Sequence, residues 1–264
     1  MASFCAPCAE EDRFNPAHFE FLFEMERRHF WHIGRRELIA AMLQRAYGDR
    51  LSGLSMIEVG CGNGSVLEFL KNIGVQIDGV DLFAEALRFC ARRVDVPLYQ
   101  ADALRMPFPD QRYEVVGLFD VIEHITDDEG VLKEMHRICK SGGRIVITVP
   151  AVKWLWSYFD EHSGHKRRYA KGELRGKLER AGFVVETMTF YMFFLLPVVA
   201  AFRLLKNVAA SRKTQDGDLW GSAEVKTIPF VNGAFLAALR LERLIVKHVG
   251  LPVGASLLAV ARKA

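Results

Sequence analysis

The stretch from 56 to 65 reads MIEVGCGNGS and constrains the fold of this chain more than any other segment. A short apolar run ends at three alternate glycines, Gly60, Gly62 and Gly64, and a helical pattern of apolar residues begins directly after them. Because glycine lacks a Cβ, the backbone can turn sharply there and approach a ligand closely. The first amide groups of the following helix are also free to bind a polar ligand. The segment therefore predicts a buried strand, a ligand-binding loop and a helix, since a turn alone would need only one glycine.

Short apolar runs alternate with helical patterns between residues 55 and 150, as a parallel sheet with crossover helices requires. The predicted strands cover residues 55–60, 76–82, 96–102, 113–120 and 142–150. The helices predicted between them cover residues 65–73, 83–93 and 127–140. This alternation predicts a doubly wound α/β core.

Two flanks depart from the alternation. Residues 16–47 carry apolar stripes at helical spacing and are predicted to be helical. After the core, a helix is predicted over 171–180 and strands over 183–191 and 255–261. The connection between those last two strands is far longer than usual. We therefore predict a single domain made of an N-terminal helical lid over 1–50, a core over 51–191 and 254–264, and an apolar helical insertion over 192–253.

The composition excludes several classes of protein. The 264 residues are 50% hydrophobic and 25% charged, which is ordinary globular usage. Lys and Arg number 35 against 32 Asp and Glu, a balance that predicts no nucleic-acid partner. The first residues lack the basic and apolar regions of a secretory signal, so we expect a cytoplasmic protein. Cys5 and Cys8 form a C-x-x-C pair, but no second pair completes four ligands, and no metal site is predicted there.

Three acidic residues stand where predicted strands begin to turn toward the next helix. Glu58, just before the first glycine, is suited to accept hydrogen bonds from an ammonium group. Asp81 ends the second strand, where a carboxylate can accept from both hydroxyls of a ribose. Asp102 ends the third strand and can accept from an exocyclic amine. Because parallel strands present their carboxyl ends at one edge, the three acids are predicted to face one crevice. The dinucleotide fingerprint is matched imperfectly, since Ser65 takes its last position.

These segments resemble the motifs of class I S-adenosylmethionine-dependent methyltransferases, of the small-molecule branch that includes the ubiquinone-biosynthesis O-methyltransferases. The matching segments are EVGCGNG at 58–64, GVD at 79–81, QADA at 100–103, FDVIEHI at 119–125 and KSGG at 140–143. The resemblance implies a Rossmann-like sheet of seven strands in the order 3-2-1-4-5-7-6, with the last strand antiparallel. It also implies S-adenosyl-L-methionine as the cofactor and methyl transfer to oxygen or nitrogen of a small acceptor. A nicotinamide-dependent oxidoreductase and a non-catalytic cofactor-binding regulator are the alternatives.

The resemblance further implies which residues contact the cofactor. The implied contacts are Glu58, Gly60, Cys61, Gly62 and Gly64 at the methionine end, Asp81 and Leu82 at the ribose, Asp102 and Ala103 at the adenine, and the backbone of Phe119 near the amino group. Upstream, the segment FWHIGRR at 30–36 places two aromatic rings among cationic side chains. There Arg35 is predicted to pair with the cofactor's carboxylate, and Trp31 either covers the cofactor or anchors the core.

The acceptor side is represented by two groups of residues. His124, beyond the fourth strand, is a candidate general base, and its alternative role is to tether the next helix. A loop after the fifth strand combines aromatic, basic and imidazole side chains. Its candidate acceptor contacts are Trp154, His162, His165, Arg168 and Tyr169. His162 and His165 lie three residues apart, but a third ligand is missing, so no metal is predicted.

The insertion is apolar with a basic fringe. Residues 190–264 carry ten Lys or Arg and four Asp or Glu. The run FYMFFLLPVVAAFRLL at 190–205 is too short and too interrupted for a membrane span. Three interpretations remain for 190–249: a pocket or lid for a hydrophobic, lipid-like acceptor, a peripheral contact with a membrane surface, and a homodimer interface. The basic residues available for the membrane contact are Arg203, Lys206, Arg240, Arg243 and Lys247.

Overall fold

The structure is a computed structural model that describes residues 2–4, 16–210 and 228–264. Cys5 and Cys8 lie outside the described residues. Residues 16–18 and 204–210 are described by their backbone alone, so the side chain of Lys206 is not described either.

All described strands form one sheet in the order β1-β4-β3-β2-β5-β6-β8-β7. The strands are β1 (Ala2–Ser3), β2 (Ser55–Val59), β3 (Gln76–Asp81), β4 (Leu98–Gln100), β5 (Tyr113–Phe119), β6 (Cys139–Pro150), β7 (Phe183–Tyr191) and β8 (Ser256–Lys263). Without β1, this is the predicted order 3-2-1-4-5-7-6, and β8 runs antiparallel to both neighbours. The expected strand count was wrong, because β1 adds a parallel edge strand beside β4. Two residues are too few to show a periodicity.

The helices lie on both faces of the sheet. They are α1 (Pro16–Arg28), α2 (Phe30–Tyr47), α3 (Ser65–Asn72), α4 (Ala84–Arg93), α5 (Asp128–Ile138), α6 (Tyr158–His162), α7 (Lys171–Arg180), α8 (Leu196–Ala210) and α9 (Pro229–Val246). Met56 belongs to one buried cluster and its neighbour Ile57 to the other. Since successive side chains of a strand point to opposite faces, both faces of the sheet are covered. The predicted doubly wound core is confirmed.

Several predicted boundaries were wrong, and two of them have a clear physical reason. The helix predicted over 16–47 is broken at His29, whose extended backbone (φ −75°, ψ 130°) separates α1 from α2. The His29 ring accepts a hydrogen bond from the Trp31 amide and caps α2. Strand β6 begins at Cys139 rather than at 142, because Cys139 already pairs with Tyr113 across an irregular register.

The insertion is fastened to the N-terminal helices and to the sheet. On α9, Leu239, Glu242 and Val246 are buried at helical spacing. Glu242 accepts backbone hydrogen bonds from three successive residues after β7, Met192 (2.6 Å), Phe193 (2.8 Å) and Phe194 (3.4 Å). Burial raises the pKa of Glu242, and these amides oppose that rise. One buried carboxylate therefore joins α9 to the end of β7.

The α9 helix also contacts the junction of α1 and α2. The Asn232 side chain accepts from the Phe30 amide and donates to the Arg28 carbonyl, both at 2.8 Å. Arg240 and Arg243 both bind Glu37 of α2, at 2.7 and 3.0 Å. The insertion and the predicted lid thus pack as one unit against the core.

We expect Glu242→Ala to lower the free energy of unfolding by about 2–4 kcal/mol, because three buried amides would lose a charged acceptor. Chemical denaturation followed by circular dichroism measures this change. Glu24→Ala is the matched control, since Glu24 is exposed on α1, and we expect it to stay within about 0.5 kcal/mol of the parent. Equal stability of the two variants would contradict the anchoring role.

Candidate active site

The glycine loop joins β2 to α3, and its three glycines have positive φ angles. Gly60, Gly62 and Gly64 have φ angles of 74°, 52° and 80°. The amides of Gly60 and Cys61 donate to the Val80 carbonyl at 2.8 and 2.9 Å. A Cβ added at Gly62 would meet no atom of the described residues within 4 Å, whereas one at Gly60 would lie 2.5 Å from Val121. The loop therefore encloses open space beside Gly62.

Asp81 fixes this loop from the end of β3. Its Oδ2 accepts from the Gly62 amide at 2.8 Å and its Oδ1 from the Phe83 amide at 2.9 Å. Burial raises the pKa of Asp81, and the surrounding backbone amides oppose the rise. Each oxygen keeps a lone pair for a further donor. The half-buried Leu82 follows directly, at the predicted ribose position.

The remaining loop and strand-end positions differ in their exposure. Asp102 is exposed, and its Oδ1 accepts from the Leu104 amide at 2.9 Å, while Ala103 is buried. The Cys61 thiol is buried against Cys90, and that contact together with burial raises its pKa. Any contact between Cys61 and a ligand would therefore be made by its backbone.

Glu58 and Arg35 each have a buried polar atom without a hydrogen-bond partner among the described residues. Glu58 is 3% exposed, and its Oε2 has no hydrogen-bond partner among the described residues. Burial raises the pKa of Glu58 well above its usual value, against the attraction of Arg35. The Nε of Arg35 is likewise buried without a partner in the described part of the chain. The site thus holds one buried acceptor and one buried donor that the described residues leave unsatisfied.

The rest of the Arg35 guanidinium is held by the sheet. Its Nη1 donates to the Phe119 carbonyl at 3.3 Å and pairs with Asp120 Oδ2 at 2.5 Å. Its guanidinium carbon lies 4.3 Å from the centre of the Trp31 ring, and Thr148 donates to the same Asp120 oxygen at 3.0 Å. Trp31 therefore packs against the cation and against the core at once. The Phe119 carbonyl, predicted to lie near the amino group of the cofactor, accepts a hydrogen bond from Arg35.

The N-terminal helices cover the glycine loop. From α1, the Phe19 carbonyl accepts from the Asn63 side chain at 3.0 Å. From α2, Arg36 approaches the Ser65 hydroxyl at 3.4 Å. Both contacts lie within the loop and the first residue of α3, so α1 and α2 shield this end of the sheet from water.

The structure places two of the predicted acceptor contacts in the interior of the protein. Tyr169 is fully buried, and its hydroxyl donates to Asp128 at 2.6 Å. Arg168 is 4% exposed and pairs with Asp160 at 2.7 Å. The polar groups of both side chains bind partners in the interior, because a buried charge or hydroxyl without a partner is costly. Neither is open to an acceptor.

The other candidates from this loop separate in space. Trp154 is 61% exposed. His162 is exposed, and its Nδ1 lies 2.9 Å from the Tyr158 carbonyl of its own helix. His165 instead lies against His124, with 4.8 Å between the ring centres. The structure therefore groups His165 with His124 rather than with His162.

His124 lies in a buried polar group just beyond β5. Burial and the neighbouring His165 lower the pKa of His124 to about 4, against a hydrogen bond with the Gly164 backbone. Glu123 is fully buried, and neither of its carboxylate oxygens has a hydrogen-bond partner within the described residues. Glu123 therefore does not fix the His124 tautomer by a hydrogen bond. Asp160 lies 2.9 Å from His165 Nδ1.

Sequence reasoning missed Asp120, which binds Arg35. Asp120 follows β5 in the same way that Asp81 ends β3, so an acid at a strand end was the available signal.

The φ angle of Asp120 is 59°, and Val152 and Met192, which follow β6 and β7, have φ angles of 63° and 61°. These three residues lie where parallel strands end, at one edge of the sheet, which we call the carboxyl edge. Such uncommon backbone angles in non-glycine residues cluster at functional sites.

Comparison with known proteins agrees with this geometry. The family model of the methyltransferase domain matches residues 30–188. The chain belongs to this family. The resemblance drawn from the motifs is thereby confirmed, and this methyltransferase domain extends beyond the segment that the motifs cover, through the end of β6 and most of β7.

Individual relatives share part of this methyltransferase domain. A ubiquinone biosynthesis O-methyltransferase of Rhodopseudomonas palustris is 33% identical over 39% of this chain and 42% of its own length. Ajmaline N-methyltransferase of Rauvolfia serpentina is 33% identical over 35% of each chain. The chain thus spans less than half the length of both relatives. A Haemonchus contortus phosphoethanolamine N-methyltransferase 2, solved with S-adenosyl-L-methionine, has a TM-score of 0.61 at 17% identity and covers 96% of this chain and 58% of its own. That likeness shows the shared fold.

We expect Gly60→Ala to destabilise the protein more than Gly62→Ala. The left-handed backbone costs a residue with a Cβ about 1–2 kcal/mol at either position. At Gly60 the contact with Val121 adds roughly 1–3 kcal/mol of overpacking. Urea denaturation of the two variants measures the difference, and equal costs would contradict the asymmetry of the loop.

Proposed function

We propose that this protein is an S-adenosylmethionine-dependent methyltransferase acting on oxygen or nitrogen of a small, hydrophobic acceptor. The observation that carries the proposal is the pair of unsatisfied groups beside the glycine loop. Glu58 offers a buried acceptor and Arg35 a buried donor, close enough to influence each other's charge. The amino-acid end of S-adenosylmethionine carries an ammonium and a carboxylate, which would satisfy both.

The rest of the cofactor fits the same edge of the sheet. Gly62 leaves open space where a ligand can approach the backbone. Asp81 has lone pairs left for two ribose hydroxyls, and Asp102 and Ala103 follow β4 at the position proposed for the adenine. The cofactor supplies an electrophilic methyl group on its sulfonium.

The same geometry weighs against the nicotinamide alternative. A dinucleotide places a pyrophosphate at the first glycine of the loop. Here Glu58 is buried two residues before Gly60, and burial raises its pKa. A pyrophosphate beside it would raise that pKa further and offer it no donor, whereas an ammonium group would stabilise the carboxylate. A non-catalytic regulator remains the alternative in which the cofactor binds without reaction.

Methyl transfer needs proximity, in-line alignment and removal of the acceptor's proton. The α1 and α2 helices shield the loop end of the crevice from water, as their contacts with Asn63 and Ser65 show. His124 is neutral at pH 7, since its pKa is lowered to about 4, so its ring can accept a proton. A base this weak contributes modestly, because a general base is most effective when its pKa lies near the working pH. Alignment therefore provides most of the rate.

The nature of the acceptor follows from the surroundings of the carboxyl edge. Partly buried apolar side chains from α2, from the end of β6 and from the segment after β7 pack there against the main core; they are Trp31, Val152 and Phe193. Apolar surface of this kind favours a hydrophobic, lipid-like acceptor. Relatives named for O- and N-methylation of small molecules support the same class of acceptor.

Isothermal titration calorimetry tests the cofactor. We expect S-adenosylhomocysteine to bind and NADH not to bind. Asp81→Ala should weaken S-adenosylhomocysteine binding by about 1.5–3 kcal/mol, and Glu58→Gln should do the same, since each removes a charged acceptor. Asp95→Asn is the matched control, because Asp95 is an exposed acid before β4, at the opposite edge of the sheet.

The outcomes separate the alternatives. NADH binding that Asp81→Ala abolishes would support the oxidoreductase instead. Full S-adenosylhomocysteine affinity in both site variants would overturn the assigned roles of Asp81 and Glu58. If the cofactor binds, incubation with its methyl-labelled form and a panel of alkylated phenols and amines should transfer label to the acceptor. Transfer to none of them, nor to a metabolite extract, would favour the regulator.

A second proposal concerns the outer face of α9. This face carries exposed apolar side chains near both ends of the helix, with Arg240 exposed between them, whereas a helix at the surface of a soluble protein usually presents mainly polar residues to water. Its most exposed apolar side chains are Phe230 (87%), Leu241 (54%) and Leu244 (55%). Among the described residues, none of the helices combines the length and apolar character of a membrane span.

We propose that this face of α9 rests on an anionic membrane surface. Apolar side chains beside basic residues suit the interface of an anionic bilayer. The charge is smaller than the sequence predicts, because Arg203 pairs with Asp160, and Arg240 and Arg243 share Glu37. These cations are partly neutralised within the protein. Apolar contact should therefore contribute more to membrane binding than charge.

Co-sedimentation with vesicles tests this contact. We expect the protein to pellet with vesicles of mixed phosphatidylcholine and phosphatidylserine, and Phe230→Ser with Leu244→Ser to abolish pelleting. Val184→Ser is the control, since Val184 is a similarly exposed apolar residue on β7. A parent protein that stays in the supernatant would overturn the proposal. If sedimentation velocity then shows a dimer that the double variant dissociates, a second copy of the chain covers this face.

A further inference from the structure

Tyr191, the last residue of β7, carries a buried hydroxyl at the carboxyl edge. The residue is 2% exposed, and its hydroxyl has no hydrogen-bond partner among the described residues. A buried hydroxyl without a partner is costly, so such groups in folded proteins are usually hydrogen-bonded. A ligand that reaches this hydroxyl would therefore gain a hydrogen bond that the described residues do not supply.

The charges that act on this hydroxyl belong to the candidate active site. Burial and the charge of Asp120 raise the pKa of Tyr191, and Arg35 opposes the rise. The phenol is therefore protonated at pH 7 and acts as a hydrogen-bond donor. The hydroxyls of Thr148 and Ser256 lie near it, but neither of them is hydrogen-bonded to it.

The backbone holds this phenol firmly in place. Tyr191 pairs with Ser256 of β8, and Glu242 of α9 accepts from the amides of Met192 and Phe193 directly after it. The ring of Tyr191 also belongs to the main buried cluster. A side chain fixed in this way loses little conformational entropy when a ligand binds to it. The hydroxyl is thus preorganised for binding.

The position of Tyr191 in the sheet separates it from the proposed cofactor contacts on the strands. Those contacts lie on β2, β3 and β4, whereas Tyr191 ends β7 on the other half of the sheet. The strand order changes direction between β2 and β5, and ligands of open α/β sheets bind at such a point. With the cofactor on one side, the carboxyl ends of β5, β6 and β7 are left for the acceptor. Val152 and Phe193, which follow β6 and β7, pack against the same cluster as Tyr191.

We propose that the Tyr191 hydroxyl donates a hydrogen bond to the nucleophilic oxygen of the acceptor and makes the site selective for oxygen over nitrogen. An oxygen can accept this bond with one lone pair and attack the methyl group with another. A neutral amine nitrogen has a single lone pair, so the same bond would block its attack. The donor also stabilises an ionised oxygen and thereby lowers the pKa of an acceptor hydroxyl. This inference rests on the proposed methyl transfer and narrows its acceptor to a compound with a hydroxyl group.

Methyl transfer to para-octylphenol and para-octylaniline tests the selectivity, because the two probes differ only in the nucleophilic atom. We expect the parent protein to methylate the phenol with a kcat/KM at least about tenfold above that for the aniline. Tyr191→Phe should lower kcat/KM for the phenol at least about tenfold, since the lost bond is made to an oxygen that carries charge. Calorimetry should show unchanged affinity for S-adenosylhomocysteine in this variant.

The pKa of a bound phenol reports the hydrogen bond directly. An alkylated nitrophenol changes its visible absorption on ionisation, so a pH titration gives its pKa in the complex with S-adenosylhomocysteine. We expect the parent protein to lower this pKa below that of the free probe. Tyr191→Phe should return it toward the free value. A structural role of Tyr191 would leave the pKa of the bound probe unchanged.

Tyr47→Phe is the matched control, because Tyr47 is also a buried tyrosine. Its hydroxyl donates to the Glu114 carbonyl at 3.1 Å, beside the start of β5 and away from the site. The control should keep the kcat/KM of the parent for the phenol and its pKa for the bound probe. Circular dichroism verifies that both variants are folded, and the selectivity of the parent protein is measured without any variant.

Each outcome decides between the assignments. Equal methylation of the two probes by the parent, or unchanged phenol kinetics in Tyr191→Phe, would overturn the role of Tyr191. A loss of S-adenosylhomocysteine affinity as large as the loss of kcat/KM would make Tyr191 a cofactor contact instead. If S-adenosylhomocysteine binds but the phenol neither binds nor reacts, the hydroxyl acceptor is wrong and the cofactor assignment stands. A parent protein that does not bind S-adenosylhomocysteine contradicts the proposed function itself.

Discussion

The buried ion pair between Arg35 and Asp120 connects the N-terminal helices to the carboxyl edge of the sheet. Burying two charges costs several kcal/mol unless further polar contacts compensate. Here the Phe119 carbonyl, the Thr148 hydroxyl and the Trp31 ring supply them. The positive charge of Arg35 also opposes the rise of the Glu58 pKa, so the same residue influences the charge of the site and fixes the position of α2. The open loop, the covering helices and the buried acid all depend on this arrangement.

A second buried carboxylate gives the insertion its place. Glu242 binds the chain after β7, while Asn232 and the arginines of α9 bind α1 and α2. The insertion is therefore continuous with the helices that cover the glycine loop. One side of α9 completes the enclosure of the core, and its other side remains apolar and exposed. The same helix can thus shape the acceptor side and contact a surface outside the protein.

Much of the fold could be predicted because it depends on local signals. Apolar runs, glycines and strand-end acids are each visible in a few residues, and the resemblance supplied the strand order. The failures have equally physical causes. The two residues of β1 carry no periodicity, and the break at His29 is marked by neither glycine nor proline. The interior contacts of Arg168 with Asp160 and of Tyr169 with Asp128 could not be predicted either, since a polar loop residue gives no local sign of its partner.

The sequence by itself determined the glycine loop, the acids Glu58, Asp81 and Asp102, and the family to which they point. These features lie in short segments whose geometry follows from the backbone of a strand joined to a helix. Only the tertiary structure decided that Arg35 meets Asp120 and that His165 joins Glu123 and His124. Those partners are separated by 85 residues in the first case and by about 40 in the second. Contacts at such distances depend on how the helices pack onto the sheet, which no local pattern encodes.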